Sequence, residues 1–195
     1  FCGGFFTAEA QTKAITAIAH KVGSPALQIA HVKDGKTQLI NYGLKEQGKA
    51  DTISAQTSFQ AASLSKVITA YTFFRLVDKG LIRLDVPLWD YYPYDRLAET
   101  PGKERITARM VLSHRSGLLN WEGDVPSAAW RASPLSLLFD PGTAYAYSGE
   151  GFYFLQEVME HISGKALEDL VQEELLTPLG MHNSAMRWQE RFAAD

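Results

Sequence analysis

The sequence predicts an α/β (α+β) fold: a helical region joined to an incomplete antiparallel sheet. Three observations predict it. The chain opens with one helix and one β-hairpin. Apolar segments of helical spacing fill most of the remaining chain. No second set of strand signals appears to complete a sheet. The 195 residues suffice for one good core or two small ones. An apolar fraction of 46% and a charged fraction of 21% exclude a disordered chain.

Each element has a local cause. Ala8 to Val22 carries Ala14, Ile15, Ile18, Ala19 and Val22 at helical spacing, and Gly23-Ser24-Pro25 stops it. Ala26 to Val32 reads as a strand. Lys33-Asp34-Gly35-Lys36 supplies an Asp-Gly turn, and Thr37 to Tyr42 returns. From Phe59 through Ser63 to Val77 the chain is apolar on nearly all sides, which predicts a buried helix ended by Asp78-Lys79-Gly80. Ile106 to His114 reads as a short helix with Thr107 as N-cap, stopped by Ser116-Gly117. Asn120 to Ser136 is loop-like. Tyr153 to Ser163 and Leu167 to Leu176 are two further helices, the first stopped by Gly164.

Composition excludes several functions. A net charge of −3 without a basic run gives no case for a nucleic-acid partner. No apolar stretch approaches the roughly 18 residues that a membrane helix needs. Cys2 is the single cysteine, so neither an internal disulfide nor a cysteine-based zinc site can form. No histidine pair has metal-ligand spacing, and neither a metal nor another cofactor is called for. Residues 1–10 read either as a signal-peptide remnant ending in Ala8-x-Ala10 or as a loop before the first helix.

Two short motifs carry chemistry. Ser63 and Lys66 stand at i, i+3, on one helix face. A serine hydroxyl is a poor nucleophile until a base takes its proton, and a desolvated lysine can be that base. In the first turn of a helix, the positive helix end also favours an oxyanion. A chain of this length holds about one Ser-x-x-Lys by chance, so the pair alone carries little weight. Tyr147 follows the rigid Pro141-Gly142-Thr143 turn and can relay a proton at a cleft wall. His114 reads as a hydrogen-bonded structural histidine rather than a base. Trp121 and Trp130 suit either a cleft wall or a core.

Together these segments resemble a family. Ser63-Leu64-Ser65-Lys66, then Leu112-Ser113-His114-Arg115-Ser116-Gly117-Leu118, then Pro141-Gly142-Thr143-Ala144-Tyr145-Ala146-Tyr147-Ser148 look like the serine β-lactamase-related superfamily. The branch is that of class C β-lactamases, D-Ala-D-Ala carboxypeptidases and esterases. The resemblance runs from about Ile15 to Met186 and implies a β-lactamase/transpeptidase-like domain over 11–195. It implies an acyl-enzyme on Ser63, with proton transfers shared by Lys66 and Tyr147 and the Ser63 N–H forming half of an oxyanion hole. The implied substrate is a small molecule or peptidoglycan-like: a β-lactam, D-amino-acid peptide or ester. The implied location is periplasmic or secreted. The resemblance implies no oligomeric state.

Two departures from the family pattern matter. Where relatives carry Tyr-x-Asn, this chain has Tyr147-Ser148-Gly149, and a glycine cannot touch a substrate amide. Glu150 comes next and is expected to point into the cleft, so Gly149 and Glu150 are taken as the substrate-binding pair. This departure leans away from a β-lactamase toward an esterase or peptidase-like relative. The family's third motif, Lys-Thr-Gly or His-x-Gly on a later strand, is not found after Tyr147, so the chain is expected to be the N-terminal part of a longer protein. A non-turnover penicillin-recognising or cell-wall-binding module and an inactive scaffold are the competing functions.

Overall fold

The computed structural model describes residues 8–194. The signal-remnant reading falls largely on residues 1–7, outside the described residues; Ala8 to Ala10 begin the first helix. The chain divides into two compact units. One comprises the residues up to Gln60 with those from Gln189 onward, and the other is Ala61–Trp188.

In the first unit, helix α1 (Ala8–Lys21) precedes strands β1 (Ala26–Lys33) and β2 (Lys36–Gly43). The strands form an antiparallel hairpin from Ala26 opposite Gly43 to Lys33 opposite Lys36. Asp34 and Gly35 both take positive φ, 51° and 72°, the backbone that a two-residue hairpin turn requires. Among the described residues these are the only named strands. The core of the unit is thin: Ala19, Ile40 and Ile53 are buried, while Ile18 and Val22 of the apolar stripe stay exposed.

The second unit is helical. A 3₁₀ turn (Ala62–Leu64) leads into α2 (Ser65–Asp78). Short helices α3 (Leu88–Tyr91), α4 (Ala108–Leu112) and α5 (Ala128–Ala132) come next, then the long α6 (Gly149–Ser163). Helix α7 (Leu167–Val171) runs into a π-helical turn (Gln172–Leu176). Thr107 caps α4 by accepting from the Met110 N–H at 3.3 Å. Gly164 ends α6 with a φ of 68°.

Helix α6 packs against α2, α3 and α4, and α7 with its π turn packs against α2. Phe73, Leu76, Leu97, Val111, Leu118, Phe154, Val158 and Met159 are buried in the shared core. Each such side chain contributes about 1.5–3 kcal/mol by leaving water. The end of α2 is tied down by charge as well. The buried Glu174 carboxylate accepts from Lys79 and lies 3.5 Å from the Arg75 Nε.

The structure corrects three expectations from the sequence. Within the segment Asn120 to Ser136, expected to be loop-like, Ser127 caps the short helix α5 by accepting from the Trp130 N–H at 3.1 Å. Helix α2 is not buried all round. Thr69, Thr72, Phe73 and Leu76 face the core, whereas Leu64, Val67, Tyr71 and Phe74 form an exposed apolar stripe at helical spacing. Apolar composition predicts that a face can be covered, not that it is. Helix α6 also begins four residues before the expected Tyr153, because Ser148 caps it. Its Oγ accepts from the Gly151 N–H at 2.8 Å and outweighs the poor helix propensity of Gly149 and Gly151.

Candidate active site

Ser63 lies in the 3₁₀ turn directly before α2, so the N-terminus of a 14-residue helix begins two residues beyond it. The residue before it is strained. Ala62 has φ 45°, a left-handed conformation that costs a non-glycine residue about 1–3 kcal/mol. Two bonds brace the turn. The Ser65 hydroxyl donates to the Ala62 carbonyl at 2.7 Å, and the Leu64 N–H donates to the Ala61 carbonyl at 3.0 Å. The turn leaves Ser63 exposed, with its hydroxyl in reach of Lys66.

The half-buried Lys66 Nζ donates to the Ser63 Oγ at 3.1 Å. The same ammonium stands 4.9 Å from the Tyr147 ring centre and 5.6 Å from that of Phe152. Both rings offer it a favourable face. Tyr147 is 39% exposed. Lys66 first and Ser63 next hold its phenol below the ordinary tyrosine range. The structure therefore brings Ser63, Lys66 and Tyr147 together.

Tyr147 is framed by bonds on both sides. The Ala146 N–H donates to the His114 carbonyl at 3.0 Å, and the Ser148 N–H donates to His114 Nδ1 at 3.2 Å. The Ser148 hydroxyl donates to the Leu119 carbonyl at 2.8 Å. The Gly149 N–H meets both the main-chain oxygen and the Oδ1 of Asn120, at 3.0 and 3.1 Å. The start of α6 is thus docked onto the loop at Leu119 and Asn120.

Gly149 and Glu150 are placed differently from Tyr147. A Cβ on Gly149 would lie 2.4 Å from the Trp121 indole and 2.6 Å from the Asn120 carbonyl, so no side chain fits there. Glu150, expected to point into the cleft, is turned inward and is only 1% exposed. Arg96 takes it in a two-pronged grip at 2.8 and 3.3 Å, the Trp130 Nε1 donates at 2.6 Å, and the Glu122 N–H donates at 2.9 Å. A buried carboxylate needs such partners, and this one has four donors. Sequence reasoning missed Arg96, which lies 54 residues away along the chain. It also missed Ala62 and Phe152, and it gave His114 no link to Tyr147.

No helix among the described residues is long and apolar enough to cross a membrane. Among curated proteins, the chain is 28% identical over 171 residues to penicillin-binding protein 4 of Amycolatopsis lactamdurans, covering 82% of this chain and 44% of that protein. It is 29% identical over 175 residues to esterase EstB of Burkholderia gladioli, covering 77% of this chain and 44% of the esterase. The chain spans less than half the length of these relatives. A class C β-lactamase in complex with cefoxitin superposes with a TM-score of 0.82 at 24% identity, over 96% of this chain and 53% of that one. That likeness concerns the fold, and it agrees with the β-lactamase/transpeptidase-like architecture. The β-lactamase family model matches residues 12–194, and the chain belongs to the β-lactamase family of hydrolases.

Proposed function

We propose that this chain carries the nucleophile half of a serine hydrolase that forms an acyl-enzyme on Ser63. The observation that carries the reading is the convergence of three groups: the Lys66 amine is 3.1 Å from the Ser63 hydroxyl and 4.9 Å from the Tyr147 ring centre, and both residues hold the Tyr147 phenol below its ordinary range. An ammonium has donors but no lone pair. Lys66 in the charged form therefore serves as an electrostatic partner, and the acidified Tyr147 phenol is the group suited to act as base.

In this mechanism Tyr147 as phenolate takes the Ser63 proton while the Oγ–carbon bond forms. The start of α2 and the Ser63 N–H favour the oxyanion. Collapse breaks the bond to the leaving group, which receives the proton back from Tyr147. Water then releases the acyl group by the same steps in reverse order.

The substrate is a small acyl donor: an ester, a D-amino-acid peptide or a β-lactam. The space beyond Gly149, filled by Trp121, removes any amide side chain from that position and supports an ester or D-amino-acid substrate over a β-lactam. The esterase relative from Burkholderia gladioli points the same way. A periplasmic or secreted location belongs to the same reading.

Intact-mass measurement of the chain mixed separately with p-nitrophenyl acetate and with benzylpenicillin tests it. The expected result is acyl mass on Ser63 with the ester, released on standing, and none in Ser63→Ala. A lasting penicillin adduct without release would favour the non-turnover binding module instead. Equal labelling of Ser63→Ala would end the reading.

A further inference from the structure

His114 is built into the fold with more care than a bystander to Ser63 acylation would need. It has φ 57°, a left-handed conformation that among non-glycine residues suits mainly asparagine, aspartate and histidine. It closes α4, where the Arg115 N–H reaches back to the Met110 carbonyl at 2.6 Å. That bend turns its carbonyl and its imidazole toward the same neighbour. The carbonyl accepts from Ala146 and the Nδ1 accepts from Ser148, the two residues on either side of Tyr147. Its ring centre also lies 4.4 Å from that of Tyr147, 5.4 Å from Phe152 and 6.0 Å from Tyr145.

We propose that His114 is the positioning residue for Tyr147: it holds the peptide on both flanks of the tyrosine and packs its ring against the phenol's ring. The proposal rests on the reading that Tyr147 serves as the base at Ser63. It also excludes His114 from that role. A neutral imidazole has one acceptor nitrogen, and here it is Nδ1, occupied by Ser148, so the ring proton sits on Nε2.

The arrangement works only while His114 is neutral. Protonation turns Nδ1 into a donor facing the Ser148 N–H and breaks that bond. The charged and titratable groups facing the ring are Lys66 from α2 and Tyr145 and Tyr147 from the segment before α6. Helix α6 presents Phe152 to it, which carries no charge. The adjacent Arg115 donates to the Gly142 carbonyl. Burial first and the Lys66 charge second hold the imidazole below the ordinary histidine range. A lowered folded value has one sign. The stability that His114 contributes is complete above the unfolded value near ~6.5 and is lost as pH falls through the folded value. The hold on Tyr147 is lost over the same window.

Nuclear magnetic resonance on the whole chain tests this without relying on turnover. The Ser148 amide is expected to shift with the same midpoint as the His114 ring, below ~6.5. In His114→Leu, exchange of the Ser148 amide should rise about fivefold to tenfold, the protection of one hydrogen bond. His114→Asn keeps a short side-chain acceptor and tolerates the left-handed backbone, so it should retain most of the protection. In acylation of Ser63 by p-nitrophenyl acetate, His114→Leu should slow the maximal rate about tenfold to a hundredfold with little change in the half-saturating ester concentration. His114→Asn should recover most of that rate and lose the acid limb of the pH profile. Added to Tyr147→Phe, His114→Leu should cost nothing further.

A Ser148 amide that ignores His114 titration overturns the proposal. So does a His114→Leu loss that is equally large in the Tyr147→Phe background. If His114→Leu does not fold, the wild-type titration and His114→Asn decide. If Tyr147→Phe acylates at full rate, the tyrosine's role as base falls, and the Ser148 resonance still reports whether His114 holds the segment.

Discussion

Tyr147 and Ser63 meet in one site but are held by opposite means. Tyr147 lies between residues whose amides are bonded to His114, Leu119 and Asn120 carry the next turn, and Glu150 beyond it is locked to Arg96 in the core. Ser63 sits on a strained turn at the exposed end of α2, beside the uncovered stripe of Leu64, Val67, Tyr71 and Phe74. The difference is one of preorganisation. The Tyr147 side is fixed by a dense polar network, and the Ser63 side by backbone geometry and a single 3.1 Å side-chain contact with Lys66.

The largest break in this comparison is Glu150→Ala. It strands the Arg96 guanidinium, which is 4% exposed, and leaves the Trp130 and Glu122 donors unpaired. Loss of one partner of a buried ion pair costs about 3–5 kcal/mol. Urea denaturation should show that loss, and a cost below about 1 kcal/mol would mean the network does not anchor the start of α6.

Gly149→Ala is next. Its Cβ would meet the Asn120 carbonyl at 2.6 Å, and a backbone atom cannot swing away as a flexible side chain does. Overpacking of this kind costs about 1–3 kcal/mol. Because Gly149 lies two residues from Tyr147, acylation should slow in parallel with the lowered melting temperature. A variant as stable as the parent would show that Trp121 and Asn120 do not press on this position.

The smallest effect is expected on the Ser63 side. Val67 is 69% exposed on α2, so Val67→Ser should change stability by no more than about 0.5 kcal/mol. Chemical denaturation checks it. A loss above about 1.5 kcal/mol, the lower value for a buried valine, would show that the stripe is covered in solution and that the contrast between the two sides is false.

Local features were legible in the sequence. Ser63 and Lys66 are three residues apart, so helical spacing alone puts them on one face, and Thr107 and the Asp34-Gly35 turn announce themselves by type. The links that build the other side are distant. Arg96 and Glu150 are 54 residues apart, and His114 and Ser148 are 34 apart, so no spacing rule connects them. Glu150 misleads for that reason: a charge shortly after a tyrosine proposed to act as base suggests a cleft until its buried partners are known. The left-handed backbone at Ala62 carries no sequence signal, since glycine normally marks such a position. Helix α2 reads as buried because its composition is apolar, and composition does not say what lies against a face.

The most direct test of the central claim is the pH dependence of Ser63 acylation by p-nitrophenyl acetate, followed by intact mass in the parent chain and in Tyr147→Phe. Lys66 and Ser63 hold the Tyr147 phenol below its ordinary value near ~10. Above the limb that His114 sets, the parent rate should therefore rise with pH through a further limb whose midpoint lies below that value, and Tyr147→Phe should lack that further limb. An identical further limb in both proteins, or no acyl mass on Ser63 at any pH, would contradict the assignment of Ser63, Lys66 and Tyr147 as one proton-transfer set.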